Sequence, residues 1–138
     1  MKIALLTLSF LMVVVIPVFA QEESPIHGTT VLETSTSWDG KLLQYPNGEA
    51  KVTGVLLEIA PGTETGWHLH SSPNFGYVLD GVLQVSLEDG RTKQLKAGEA
   101  LAEVVNTYHN GKNIGEIPVK IVVFYIGTTD QALTKMKE

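Results

Sequence analysis

From residue 31 onward, apolar positions come in short runs separated by turn residues. Val52 to Ala60 (VTGVLLEIA) reads as a strand closed by Pro61-Gly62. Phe75 to Leu79 and Val82 to Leu87 flank Asp80-Gly81, which predicts a tight hairpin. Glu88-Asp89-Gly90 and Lys96-Ala97-Gly98 bracket a short run at Thr92 to Leu95. Ala100 to Val105 and Val119 to Ile126 (VKIVVFYI) complete the strand set, and a further short run at Leu42 to Tyr45 ends at the turn Pro46-Asn47-Gly48. Strands at this spacing predict an all-β sandwich or barrel. The one stretch with a helical reading is the tail, Thr129 to Lys137, with Thr129 or Asp130 as cap. No repeat, low-complexity segment or internal linker divides the chain, so residues 21–45 read as a lead-in with first strands, 46–128 as the barrel and 129–138 as a tail.

The first twenty residues follow a different pattern. Met1-Lys2 is a short basic start, Ile3 to Phe19 is almost wholly apolar, and Val18-Phe19-Ala20 places small residues before a cut. This predicts a signal peptide cleaved between Ala20 and Gln21, hence a periplasmic or secreted protein with no stable membrane insertion after cleavage; Pro17 argues against a retained anchor. Cleavage leaves 118 of the 138 residues, enough for one domain and one core. The full chain carries a net charge of −5, and losing Lys2 makes it one unit more negative. With no basic cluster, nucleic acid is excluded as a partner. There is no cysteine. An exported chain of this kind therefore relies on its core, a metal or a second subunit rather than on disulfides, and a homodimer is expected because an incomplete barrel leaves strand edges and apolar surface to cover.

Of the four histidines, three stand close to glycine-rich turns and the fourth, His27, lies in the lead-in. His68 and His70 are two apart, so on a strand they share a face, as two ligands of one metal must. His109 comes from a later segment and closes a three-nitrogen site only if the strands wrap a common interior. Imidazole is the usual protein ligand of divalent first-row metals, and spacing does not choose among zinc, iron, manganese, nickel and copper. Trp67 and Tyr108 each directly precede one of these histidines and so point the other way, toward core or interface. Phe124 or Val122 is expected to wall the site. No serine sits in a Gly-x-Ser-x-Gly turn, so Ser71, Ser72 and Thr107 form no nucleophilic triad.

The spacing resembles that of the cupins. Their first motif runs Gly, five residues, His-x-His, three or four residues, Glu, six residues, Gly; the second runs Gly, five residues, Pro-x-Gly, two residues, His, three residues, Asn. Gly62, His68, His70 and Gly81 match the first, and Gly98, His109 and Asn113 the second. The resemblance covers roughly Val52 to Tyr125 and implies a jelly-roll barrel, the double-stranded β-helix, holding one divalent transition metal ion. Three positions depart from the pattern: Asn74 replaces the glutamate, Val104 the proline and Asn106 the turn glycine. Asn106 is a mild change, since asparagine tolerates left-handed backbone. Asn74 removes a charged ligand. Its carbonyl either fills the fourth position weakly or leaves that position to water, and an under-neutralised ion attracts an anionic ligand such as a carboxylate.

Glu103, six residues before His109, has two placements: the barrel interior, as a proton acceptor or late metal ligand, or the outer face, as a solvated carboxylate. Three function classes follow. The first is a metalloenzyme, dioxygenase- or isomerase-like, acting on a small polar or carboxylate-bearing molecule. The second is a non-catalytic small-ligand-binding module, and the third a structural or interaction protein stabilised by its metal or by pairing.

Overall fold

The computed structural model describes residues 26–138, so the predicted leader lies outside the described residues. Nine strands follow one another: β1 Ala50–Ile59, β2 His68–Leu69, β3 Asn74–Asp80, β4 Val82–Leu87, β5 Thr92–Lys96, β6 Ala100–Ala102, β7 His109–Asn113, β8 Val119–Thr128 and β9 Lys135–Met136. They form two antiparallel sheets, one in the order β1-β8-β3-β6 and the other β5-β4-β7-β2-β9. The fold is the expected double-stranded β-helix. No helix occurs among the described residues, and none there is long and apolar enough to cross a membrane.

Period-two alternation builds the interior. Along β8, Val119, Ile121, Val123 and Tyr125 point inward, while Lys120 and Phe124 face solvent. Leu83 and Val85 of β4 meet them from the other sheet, with Ile59, Val78, Leu95 and Leu101 completing one apolar core. The inward set on β8 is thus one residue out of step with the expectation of Phe124 or Val122 as a wall. Phe124 instead lies across Gly54 of β1, where an added Cβ would stand 2.9 Å from the ring.

The Asp80-Gly81 turn does not join a hairpin. Gly81 makes the turn, with φ of 80°, but β3 pairs with β6 and β8 while β4 pairs with β5 and β7, so the chain crosses here from one sheet to the other. The corner is tight because the Pro118 carbonyl and Val119 press on Gly81, 2.9 Å from where a Cβ would sit. The hairpin lies one turn later, between β4 and β5, around Asp89-Gly90.

The tail is extended, not helical. Lys135 and Met136 pair with Leu69 and His68 of β2. Lys137 reinforces this by reaching the Glu88 carboxylate and lying over the Tyr108 ring. A run of nine residues is too short to hold a helix by itself, and a sheet edge in need of a partner takes it instead. The Leu42 to Tyr45 run does not become a strand either; only Leu42 makes an isolated bridge, to Thr36.

Candidate metal centre

Cross-strand register brings the histidines together. His68 on β2 stands directly opposite His109 on β7, and their ring centroids are 4.4 Å apart. His70, just beyond β2, closes the triangle at 4.9 Å from His68 and 5.0 Å from His109. One nitrogen from each lies within 4.8 Å of the other two, a cluster that can hold a metal ion.

The second nitrogen of each ring is occupied. His68 Nδ1 donates to the Gly66 carbonyl at 2.7 Å, His70 Nδ1 to Leu133 at 2.7 Å and His109 Nδ1 to Thr107 at 2.9 Å. A carbonyl only accepts, so each ring carries its proton on Nδ1 and turns a bare Nε2 lone pair toward the other two. Burial holds the His70 and His109 pKa values down to about 4, with the neighbouring imidazoles adding to the effect. Two buried neutral imidazoles, and a third ring held by the same kind of carbonyl contact, form a donor set that a divalent ion can use.

Two local features aim the rings. Gly66, with φ of 79°, turns its carbonyl back to His68. Asn106 takes the left-handed conformation, with φ of 51°, and donates its backbone N–H to the His70 carbonyl at 2.8 Å. The substitution of asparagine at this turn therefore keeps the backbone that a glycine would supply.

Glu103 faces the interior and is buried. Its Oε1 accepts from the Trp38 indole N–H at 2.7 Å and from the Val104 backbone N–H at 2.8 Å. Its Oε2 lies 4.0 Å from His109 Nε2. This contact is not an ion pair at neutral pH, because His109 is neutral there and burial raises the Glu103 pKa. Asn74 sits directly across the β3–β6 ladder, its carbonyl accepting the Glu103 N–H at 3.0 Å. Its side chain is buried, and its Nδ2 has no hydrogen-bond partner.

All five of these side chains line one cavity of about 70 Å³, walled otherwise by apolar groups such as Leu57, Leu83, Val85, Ile121 and Val123. Tyr125 also lines it, edge-on to His70 at 5.1 Å, and burial raises its pKa. Trp67 and Tyr108 are outside it, as their parity indicated. Three contributors had no signal in the motifs. Trp38 comes from the lead-in, Leu133 acts through a backbone carbonyl, and Tyr125 depends on the β8 register. The need of a buried indole N–H for an acceptor is the only hint the sequence offered for Trp38.

A compact double-stranded β-helix with three converging histidines defines a class of small barrels with an internal donor cluster. The chain belongs to the cupin family: the cupin domain model matches residues 55–125. No match was found among curated proteins. Several solved structures share the fold. An oxalate decarboxylase from Lactobacillus farciminis in complex with formate superposes with a TM-score of 0.55 at 21% identity, over 62% of this chain and 26% of that one. An oxalate oxidase in complex with the substrate analogue glycolate gives 0.54 at 20% identity, over 62% and 45%. An uncharacterised protein with a double-stranded β-helix domain from Klebsiella pneumoniae gives 0.53 at 22%, over 70% and 90%. The chain thus spans about a quarter of the decarboxylase and under half of the oxidase.

Proposed function

We propose that this protein is a metal-dependent enzyme of the cell envelope, dioxygenase- or isomerase-like, acting on a small polar or carboxylate-bearing molecule. The observation that carries the reading is the convergence of three Nε2 lone pairs, each fixed by a carbonyl behind it. His68, His70 and His109 would hold one divalent transition ion: zinc, iron, manganese, nickel or copper. Such an ion supplies Lewis acidity or oxygen chemistry at the floor of the cavity.

The chain's own residues set the rest. A cavity of about 70 Å³, against roughly 10–15 Å³ for one water, limits the substrate to a few heavy atoms. Its apolar walls lower the local dielectric and strengthen each polar contact inside. Glu103 offers one carboxylate oxygen with no hydrogen bond of its own to give up, and Asn74 offers a free amide N–H. Two of the solved structures that share the fold, one with formate and one with glycolate, are of proteins named for oxalate; this favours short carboxylates as the first substrates to try.

The test is elemental analysis of purified protein, followed by oxygen consumption and product detection with a panel of small carboxylates and phenols. Turnover that follows the metal and is lost in His109→Ala is the expected result. Stoichiometric metal with saturable carboxylate binding and no turnover would favour the second reading, a non-catalytic ligand-binding module. The small cavity and the amide at position 74, where the family pattern has glutamate, are what support that alternative.

Export through residues 1–20 and assembly as a homodimer belong to the same proposal. Pairing is supported by exposed Val52 and Leu56 on edge strand β1 and exposed Phe124 beside them.

A further inference from the structure

The motif position that carries a metal-binding carboxylate in the cupin pattern is Asn74 here, yet a buried carboxylate stands across the ladder from it. We propose that the carboxylate ligand has moved from β3 to the end of β6: Glu103 Oε2 is the fourth donor to the ion, and Asn74 Nδ2 is released to bind an anionic substrate. The inference deepens the metalloenzyme reading and rests on it.

Four observations carry it. Glu103 and Asn74 are backbone partners, joined by the Glu103 N–H to Asn74 carbonyl bond of 3.0 Å, so exchanging their side chains moves a carboxylate by only one strand spacing. The two oxygens of Glu103 are differentiated. Oε1 is held by Trp38 and Val104, which fixes the group in place, while Oε2 points to His109 Nε2 at 4.0 Å. Donors bound to one ion at about 2.0–2.2 Å stand roughly 3.3–3.6 Å apart in a tetrahedral set; Oε2, at 4.0 Å from His109 Nε2, lies at the border of the compact three-histidine cluster and would join it by moving inward. The carboxyl group is buried, and among the described residues no Lys or Arg side chain pairs with it, so a cation at the histidine cluster would be its nearest positive partner. Finally, Asn74 Nδ2 is a buried donor with nothing to donate to, which is the complement of a ligand oxygen.

The consequence is a change in charge accounting. With Glu103 as ligand the ion is neutralised to the same extent as in the family pattern, so Asn74 does not leave it unusually electrophilic. The amide instead adds a neutral hydrogen-bond donor where the pattern has a negative charge, and that favours a carboxylate guest.

The experiment uses Co²⁺ as the probe, read by its visible d–d bands and by competition with a chelator, with oxalate then titrated into the loaded proteins. Glu103→Gln keeps an oxygen for Trp38 and Val104 and replaces Oε2 with an amide NH2, which donates and has no lone pair for a metal. Its Co²⁺ affinity should fall by more than about 100-fold, beyond what loss of a supporting hydrogen bond costs, and its bands should shift. Asn74→Ala should hold Co²⁺ within about threefold but bind oxalate at least about tenfold more weakly. The double variant Asn74→Glu, Glu103→Gln puts the carboxylate back on β3 and should recover most of the lost Co²⁺ affinity, which separates ligation from a folding defect. Unchanged bands and affinity in Glu103→Gln, with binding still lost in His68→Ala, overturns the relocated ligand and leaves the three-histidine site standing. Failure of the unaltered protein to take up Co²⁺ overturns both.

Discussion

Asn113 shows how much one motif residue does away from the chemistry. It is fully buried, its amide donates to the Ile59 and Ile117 carbonyls at 2.8 Å each, and its Oδ1 accepts the Gly115 N–H at 2.9 Å. It therefore ties the end of β1 to the β7–β8 turn. Asn113→Ala would leave the buried Ile59 carbonyl and two less buried groups of the β7–β8 turn without their partner and should lower stability by about 1–3 kcal/mol in chemical denaturation; a loss under about 0.5 kcal/mol would contradict that role. The histidines make a second residue-scale prediction. His70 and His109 have folded pKa values of about 4 against an ordinary 6.5, so the unfolded chain binds more protons between those limits. Their contribution to stability is complete above pH 6.5 and is lost as the pH falls toward 4. Glu103, with a raised pKa, acts in the opposite sense and offsets part of this. Metal-free protein should lose several kcal/mol across that window, with a ceiling of about 7 kcal/mol for the two groups together, and a melting temperature that stays flat or rises on acidification would refute it. At this scale the sequence was informative where spacing carries geometry. His68, His70 and His109 converge as their spacing indicated, and Asn106 adopts the turn its chemistry allows. The side on which Glu103 lies was not readable, because β6 ends at Ala102 and strand parity stops with it.

Strands were legible where several apolar residues face a core, as in β1, β3, β4 and β8, and β5 was legible from the turns on either side of it. They were not where pairing alone makes the strand. β7 reads His-Asn-Gly-Lys-Asn, with no apolar side chain, and β2 and β9 are two residues long. The same limit explains the misread Asp80-Gly81 turn, since a local turn signal does not say whether its flanking strands pair or part. The tail is the element whose pairing matters most to the site. Besides β9, it supplies the Leu133 carbonyl behind His70 and Gln131 Oε1, which accepts from the Ser72 hydroxyl at 2.7 Å. Deleting residues 129–138 should leave most of the barrel folded, as judged by circular dichroism. Metal affinity should fall by about 10–100-fold, the cost of losing a partner behind a ligand histidine. Equal affinity in the truncated protein would show that His70 needs no such support.

The two sheets enclose one core but leave the barrel open at its edges. Strand β1 is such an edge, ten residues long, with Val52 62% and Leu56 66% exposed, and Phe124 on neighbouring β8 is 48% exposed. An edge of that length with that much apolar surface invites pairing. Light scattering at micromolar concentration should report a dimer, and Leu56→Glu should shift it to monomer without unfolding it. A monomer for the unaltered protein would leave the edge protected in some other way.

The bond between His70 and Leu133 also orders events in time. The chain is made from its amino terminus, and residues 68, 70 and 109 are all synthesised before residue 133. Until that carbonyl arrives, His70 is free to rotate and to exchange its proton between nitrogens, and β2 has an unpaired side. A chain whose tail is undocked therefore has two imidazoles backed by nearby carbonyls and one that has lost its carbonyl partner. If the cluster holds a metal ion as proposed, its third imidazole is fixed only once the tail has docked, so full affinity should be reached only by the completely folded chain.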